Sequence, residues 1–135
     1  MSDVFSRKKR SEVMSRIRGS GNLSTELRLI KLLRANGVSG WRRKHPLPGK
    51  PDFVFPGPGL CVFVDGCFWH ACPHCFRMPR QNRKFWSEKI SRNIHRDRYV
   101  SGKLRRLGWS VVRIRECRLK KFPEAQLNRI LRKLN

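Results

Sequence analysis

The amino-acid sequence predicts an α/β fold in which helices flank a mixed central sheet. Short apolar runs typical of strands are interspersed with longer segments of helical periodicity. The predicted order is helix, three strands, a cysteine-rich loop, helix, strand and helix. Hydrophobic residues make up 39% of the 135 residues and include four tryptophans, which favours one domain with a packed core.

Residues 1–22 are basic and interrupted by glycines, which predicts an arm that orders on its partner. The compact domain is predicted to span residues 23–135. Its first helix is expected to run from about Ser24 to Asn36, because Ser24 or the next residue can cap the first turn and Gly37 can end the last. The apolar positions of this helix are Leu27, Ile30, Leu32 and Leu33.

Three strands are predicted next, over residues 41–44, 52–55 and 60–65, with turns rich in Pro and Gly between them. An antiparallel hairpin formed by the second and third strands would bring Asp52 and Asp65 to the same region of the sheet. Two such carboxylates suit Mg²⁺, which takes one or two carboxylates and keeps several waters. The ion would neutralise a phosphate and assist an in-line attack by water.

The longest periodic segment, residues 83–107, predicts a helix with one apolar face. That face consists of Trp86, Ile90, Ile94, Leu104 and Leu107. A polar row with the same four-residue spacing consists of Lys89, Asn93 and Asp97. Side chains four apart stack along a helix, so this row borders the buried face as a solvated or a working surface. A strand over residues 110–115 and a helix over 124–134 complete the domain.

Cysteines with metal-ligand spacing predict a closed tetrahedral zinc site. The four thiolates would come from Cys67, Cys72, Cys75 and Cys117. His74 is an alternative third ligand in place of Cys75. Cys61 lies within a predicted strand and is expected to be a small buried hydrophobe.

Two aromatic residues and a histidine stand among these thiols. Imidazole titrates near neutral pH, so His70 can accept a proton from an attacking water; the competing interpretation makes it a zinc ligand. Phe68 and Trp69 are either core residues or wedges between base pairs. Met14 in the basic arm is a second candidate wedge.

The charge balance points to a nucleic-acid partner. Thirty-two Lys and Arg residues against nine Asp and Glu residues give a net charge of +23, spread along the chain. A non-catalytic, zinc-containing basic protein that binds nucleic acid would satisfy this charge too. No apolar run approaches the roughly 18 residues of a membrane span, and the N-terminus lacks the apolar stretch of a signal peptide, so we expect an intracellular protein without membrane contact.

Several segments together resemble one known family. They are Leu47–Phe55, Val62–His70, Phe85–Asn93 with Arg96 and Asp97, Leu107–Cys117, and the N-terminal Arg10–Met14 with the Glu26 helix. Taken in chain order, these segments are similar to the very-short-patch repair (Vsr) mismatch endonucleases. The run Gly-Cys-Phe-Trp-His within the second segment is the most specific part of the resemblance.

The resemblance implies a restriction-endonuclease-like fold and a Mg²⁺-dependent, strand-specific nick on the 5′ side of the thymine in a T:G mismatch left by deamination of 5-methylcytosine. The implied partners are double-stranded DNA, contacted in part by the arm of residues 1–22, and mismatch-repair proteins. A monomer in the bacterial cytoplasm, associated with the nucleoid through DNA, is expected. A nuclease of the same fold without mismatch preference is the remaining alternative.

The resemblance also implies roles for individual residues. Asp52 would be the principal Mg²⁺ ligand together with the main-chain carbonyl of Val64, and Asp65, where the best-known member has His, would strengthen metal binding. Glu26 would support the site and His70 would act as general base. Met14, Phe68 and Trp69 would intercalate beside the mismatch. Structural zinc would be held by Cys67, Cys72, Cys75 and Cys117, with Lys89, Asn93 and Asp97 on a polar helix face at the active site.

Overall fold

A computed structural model describes residues 23–67, 72 and 76–134. These residues form a three-stranded mixed sheet with helices against both of its faces, which confirms the predicted α/β class and mixed sheet. The likeness to a restriction-endonuclease fold stays a prediction, and the arm of residues 1–22 lies outside the described residues. Within the described part of the chain, no helix is both long enough and apolar enough to cross a membrane.

The three strands are β1 (Phe53–Phe55), β2 (Leu60–Asp65) and β3 (Ser110–Arg115). Strand β1 runs antiparallel to β2, with Phe53 opposite Val62, and β2 runs parallel to β3, with Asp65 opposite Arg115. The start of β1 and the ends of β2 and β3 therefore meet at one edge of the sheet, and the residues beyond them become neighbours.

Alternation along the strands divides the core between the two faces of the sheet. In β2, Leu60, Val62 and Val64 belong to one apolar cluster, and Cys61 and Phe63 belong to another. Cys61 is fully buried, as predicted. The helices are α1 (Leu23–Ala35), α2 (Arg83–Arg106), α3 (Glu116–Lys121) and α4 (Pro123–Leu134). Helices α1, α3 and α4 cover the first face, and the C-terminal half of α2 covers the second.

The predicted apolar face of α2 is confirmed over most of its length. Trp86 and Ile90 are buried in a separate cluster, and Leu104 is buried against the sheet. The inclusion of Leu107 was wrong: α2 ends at Arg106, and Leu107, which follows its last turn, is 58% exposed. Leu27 in α1 is likewise exposed, and Leu29, which was not among the predicted apolar positions, is fully buried, so the buried stripe of that helix contains Leu29 in place of Leu27.

The predicted strand over residues 41–44 was wrong. Arg42 exchanges two backbone hydrogen bonds with Val54, at N–O distances of 2.7 and 2.8 Å, and forms an isolated bridge. The pairing stops there because Lys44 adopts a left-handed conformation with φ of 57°, which no extended strand accommodates. Helix α3 was not predicted, and it places Cys117 in a first helical turn directly after β3.

Candidate active site and metal centre

Three buried carboxylates lie close together at the sheet edge described above. Glu26, Asp52 and Asp65 are 5%, 7% and 6% exposed, and among the described residues they are the charged side chains that are buried. The chain has only nine acidic residues against thirty-two basic ones. Burying three carboxylates near one another is costly unless cations or protons compensate them. This cluster is therefore a candidate cation site.

Each carboxylate of this acid cluster comes from a different element. Glu26 lies in the first turn of α1, Asp52 precedes β1, and Asp65 is the last residue of β2. The antiparallel register of β1 and β2 carries Asp52 to the end of β2, because Asp52 is one residue outside the pair Phe53–Val62. The hairpin predicted from the sequence thus has the register that the acid cluster requires.

Asp52 is held by the backbone of the neighbouring strand. The backbone N–H of Val64 donates a hydrogen bond of 2.7 Å to Oδ2 of Asp52. Burial raises the pKa of Asp52 to about 8; the bond from Val64 opposes this shift, while the negative charge of Glu26, a side-chain hydrogen bond with Glu26 and the charge of Asp65 add to it. Without a bound cation, Asp52 therefore keeps a proton at neutral pH.

Two arginines compensate the other two carboxylates. Nη2 of Arg43 lies 2.6 Å from Oε1 of Glu26, and Nη1 of Arg113 lies 3.0 Å from Oδ1 of Asp65. Sequence reasoning missed both residues. Arg113 interrupts the apolar residues of β3, which indicates a need for an opposite charge nearby but not which acid supplies it, and Arg43 stands in the basic run Arg42–Lys44, which does not single it out.

A cleft of about 440 Å³ opens beside Asp65, between α2 and β3. Its charged walls are formed by Asp65, Asp97, Arg98, Arg105, Arg113 and Arg115. Of the predicted polar row on α2, Asp97 thus lies at the active-site edge. Asn93 accepts a hydrogen bond of 2.9 Å from Nη2 of Arg96, and the Lys89 ammonium lies 5.9 Å from the centre of the Phe85 ring.

A thiol cluster lies at the same edge of the sheet. The sulfur atoms of Cys67, Cys72 and Cys117 all lie within 4.8 Å of one another, and those of Cys72 and Cys117 are 3.5 Å apart. The parallel pairing explains the cluster, because Cys67 and Cys117 each follow the paired residues Asp65 and Arg115 by two positions.

The geometry of the thiol cluster fits a thiolate-bound zinc ion. Tetrahedral bonds of about 2.3 Å from zinc to sulfur would place the sulfur atoms about 3.8 Å apart, close to the separation of Cys72 and Cys117. Cys67, Cys72 and Cys117 would supply three ligands, and the fourth predicted ligand, Cys75, lies outside the described residues. Burial raises the pKa of the Cys61 thiol to about 11, so that cysteine is unsuited to be a ligand.

One hydrogen bond connects the two centres. Oγ1 of Thr25 donates a bond of 2.7 Å to Oε2 of Glu116. Thr25 precedes Glu26 of the acid cluster, and Glu116 precedes Cys117 of the thiol cluster. The start of α1 is thereby tied to the start of α3, so the thiol cluster and the carboxylates share one framework.

Comparison with known proteins identifies the family. Residues 2–77 match the family described as DNA mismatch endonuclease Vsr. The chain is 38% identical over 122 residues to the DNA mismatch endonuclease Vsr of Escherichia coli K12, an alignment that covers 89% of this chain and 77% of that protein. The chain belongs to the Vsr family of DNA mismatch endonucleases.

Other Vsr relatives are nicking enzymes. The type II nicking enzyme V.NmeAIP of Neisseria meningitidis is 35% identical over 138 residues, which covers 99% of this chain and 97% of that protein. The type II nicking enzyme V.NaeI of Lentzea aerocolonigenes is 49% identical over 67 residues, which covers 50% of this chain and 40% of that protein. As a member of this nuclease family, the chain is a DNA endonuclease, and the family implies a divalent metal.

The structure brings together part of the predicted Vsr site. Glu26, Asp52, Val64 and Asp65 lie at one sheet edge, and Cys67, Cys72 and Cys117 lie beside one another. Six other predicted residues lie outside the described part of the chain: Met14, Phe68, Trp69, His70, His74 and Cys75. The roles assigned to all of these residues stay predictions.

Proposed function

We propose that this chain is a Mg²⁺-dependent, strand-specific endonuclease that nicks DNA on the 5′ side of the thymine in T:G mismatches produced by deamination of 5-methylcytosine. The proposal rests chiefly on three buried carboxylates, Glu26, Asp52 and Asp65, which converge in a chain of net charge +23. A protein that only neutralised phosphate would gain nothing from burying acids, since each one repels the DNA backbone.

The names of the relatives support a cut in one strand at a mismatch. The Escherichia coli relative is named a DNA mismatch endonuclease, and five other relatives are named type II nicking enzymes. A nick in the thymine strand is the cut that repair of a deaminated 5-methylcytosine requires, because the guanine strand still carries the original information.

The acid cluster would hold the catalytic ion. Asp52 and the main-chain carbonyl of Val64 would be ligands, with Glu26 and Asp65 close enough to bind the ion or its waters. When bound, Mg²⁺ would neutralise the scissile phosphate and stabilise charge developing in the in-line displacement. The bond from the Val64 N–H fixes Oδ2 of Asp52, and Arg43 fixes Oε1 of Glu26, so both carboxylates are oriented before substrate arrives.

His70 would take the proton from the attacking water. It follows Asp65 by five residues in sequence, and Asp65, the last residue of β2, lies in the acid cluster. An imidazole is half protonated close to neutral pH and suits this role. Zn²⁺ bound by Cys67, Cys72, Cys75 and Cys117 would hold the segment that contains His70 in shape.

Recognition of the mismatch would fall to the aromatic residues and to α2. Phe68 and Trp69 directly precede His70 in sequence, so their insertion beside a mispaired step would also bring the imidazole to the backbone. Lys89 and Asn93 would contact the DNA from α2. The basic arm of residues 1–22, with Met14 as a further wedge, would add phosphate contacts that hold the duplex without reading its sequence.

A nicking assay tests this proposal. Duplexes with a single T:G mispair in several sequence contexts, and matched T:A duplexes, are labelled separately on each strand and incubated with or without added Mg²⁺. We expect one cut, 5′ of the mispaired thymine, in the T:G duplex with Mg²⁺. Equal cutting of the T:A duplex would indicate a nuclease without mismatch preference. Salt-sensitive binding without any cut would indicate a non-catalytic DNA-binding protein and overturn the proposal.

A further inference from the structure

The side chain of Arg113 makes several polar contacts, although none of the catalytic roles proposed above involves this residue. Its Nη1 lies 3.0 Å from Oδ1 of Asp65 and 3.8 Å from Oδ1 of Asp97. Its Nη2 donates to the main-chain oxygen of Asp97 at 3.3 Å, and its Nε donates to Oγ of Ser101 at 2.9 Å. All three guanidinium nitrogens are thus engaged.

The plane of this guanidinium is also fixed by stacking. Its central carbon lies 4.1 Å from the centre of the Phe63 ring, within the range of a cation–π contact. Phe63 precedes Asp65 by two residues and shares its face of β2. Arg113 therefore contacts β2 twice, at Phe63 and at Asp65, and it contacts α2 at Asp97 and Ser101.

The partners of Arg113 are themselves held in place. Ser101 is 94% buried, since 6% of its surface is exposed, and it lies on α2 one residue after Val100, which packs against Phe63. Arg113 stands on β3, the strand paired with β2. A rigid fork anchored on three elements loses little entropy when it binds a carboxylate, so it can fix that carboxylate closely.

We propose that Arg113 is a positioning residue that fixes the carboxylate of Asp65 in the acid cluster and connects it to the polar face of α2. Because Nη1 of Arg113 binds Oδ1, it restricts rotation of the Asp65 carboxylate and sets the direction in which that carboxylate faces the acid cluster. This inference rests on the proposed function, since it assigns the way in which one of the three carboxylates is held for catalysis.

Through Arg113, helix α2 is connected to the acid cluster. Asp97 is the last member of the predicted row that begins with Lys89 and Asn93, and it contacts Arg113 through both its side chain and its main chain. A shift of α2 as it binds DNA would move the Arg113 fork and with it Asp65. Correct seating of the helix on the duplex would thereby favour the productive arrangement of the acid cluster.

Replacing Arg113 removes both a positive charge and the contact that positions Asp65. The first loss changes ion affinity and the second changes the rate, which makes the proposal testable. Removing a cation beside three carboxylates favours binding of another cation by Coulomb's law. Removing the fork removes the contact that orients Oδ1 of Asp65, and misplacement by about 1 Å costs on the order of 100-fold in rate. A positioning role therefore predicts that kcat falls while divalent-ion affinity is kept or improved.

The test compares Arg113→Met, Arg113→Lys and Ser101→Ala with Arg132→Met, which removes the same charge from an exposed position on α4, on the other face of the sheet. Mn²⁺ binding is measured by electron paramagnetic resonance of the free ion, and nicking is measured at saturating DNA and ion. For Arg113→Met we expect a fall in kcat of about 10- to 100-fold with a Mn²⁺ Kd no weaker than that of the wild type. Arg113→Lys should fail to restore kcat, because an ammonium lacks the fork.

The other variants separate the alternatives. Ser101→Ala keeps every charge and should lower kcat several-fold, which preserves the test if the Arg113 variants fold poorly. Arg132→Met should leave kcat and the Mn²⁺ Kd unchanged. The proposal is overturned if Arg113→Lys nicks like the wild type, or if both Arg113→Met and Ser101→Ala have the kcat of Arg132→Met. Absence of nicking by the wild type would instead refute the proposed function.

Discussion

Asp52 is the residue on which the site depends most directly. Its carboxyl is buried beside two other carboxylates, and without a cation it is stabilised by a proton, the Val64 N–H and a side-chain hydrogen bond with Glu26. A divalent cation bound there would replace that proton. Burial makes the ionised form of Asp52 unfavourable in free energy without a cation. The same burial would strengthen the attraction between this carboxylate and a bound cation.

This arrangement predicts a pH dependence of stability. The pKa of Asp52 is about 8 in the folded protein and about 3.9 in an unfolded chain. Between these values the folded state holds one more proton at Asp52 than the unfolded state, so its contribution to stability is fully present below about pH 4 and is lost as the pH rises to about 8. The slope is at most about 1.4 kcal/mol per pH unit.

Urea unfolding of the wild type and of Asp52→Asn, in buffer without added divalent ions at pH 5 to 8, measures this effect. Asparagine mimics the protonated acid and still accepts the bond from Val64. The wild type should therefore lose stability relative to the variant as pH rises, and added Mg²⁺ at pH 8 should stabilise only the wild type. A constant difference between the two proteins across this range would contradict the assignment.

Among individual residues, the sequence predicted the acids of the site but not the arginines that pair with them. Asp52 and Asp65 were predicted to meet because the turn between their strands favours a hairpin. The pairing of Glu26 with Arg43 and of Asp65 with Arg113 depends on which of thirty-two basic residues lies near each acid. That choice is made by register and tertiary packing, which the local pattern does not encode.

Among the elements, the turn before β1 shows how a loop is tied to the core. Gly49 has φ of 78°, and a Cβ placed on it would lie 2.2 Å from Cγ1 of Val100. The turn also brings Leu47 against the cluster that Val100 forms with the sheet. Glycine is required there both for its backbone conformation and because α2 leaves no space for a side chain.

Gly49→Ala should destabilise the protein by about 3 kcal/mol, because the left-handed backbone and the overlap with Val100 both cost free energy. Gly57→Ala is the matched control, since a Cβ there meets nothing within 4 Å, and its effect should stay within about 0.5 kcal/mol. Midpoints of urea unfolding measure both changes. Equal midpoints for the two variants would show that the turn does not pack against α2 as described.

Elements with a strong hydrophobic periodicity were predicted, and elements whose extent is decided by a single residue were not. The alternation in β3 and the apolar stripe of α2 were sufficient to locate both. The predicted strand over residues 41–44 ends after one bridge because Lys44 is left-handed. Helix α3 spans only six residues and buries one of them, Leu119, so its sequence carries almost no periodic signal.

For the whole molecule, the parallel pairing of β2 and β3 decides where the chemistry lies. It brings together the ends of two strands that are about fifty residues apart in the chain, and with them Asp65, Cys67 and Cys117. A metal ion at the thiol cluster would hold together the two ends of the segment that contains His70. The spacing of the cysteines predicted a metal-binding cluster, but its proximity to the acid cluster follows from topology alone.

Cys117→Ser should therefore abolish binding of zinc and lower the melting temperature by more than about 10 °C, because a structural zinc site contributes directly to folding. Cys61→Ala, which removes a buried thiol outside the cluster, should leave the zinc content unchanged. Zinc per chain is measured by elemental mass spectrometry alongside thermal unfolding. A Cys117→Ser protein that retains zinc and the wild-type melting temperature would refute the proposed site.

We propose above all that the buried acid cluster binds the divalent ion that is required for cleavage of DNA. The most direct measurement is Mg²⁺-dependent nicking of a T:G duplex by Asp52→Asn beside Glu124→Gln, which removes an exposed acid from α4. We expect Asp52→Asn to nick at least about 1,000-fold more slowly than the wild type while binding the duplex as tightly. Glu124→Gln should remain active. Nicking by Asp52→Asn within tenfold of the wild type would contradict this proposal.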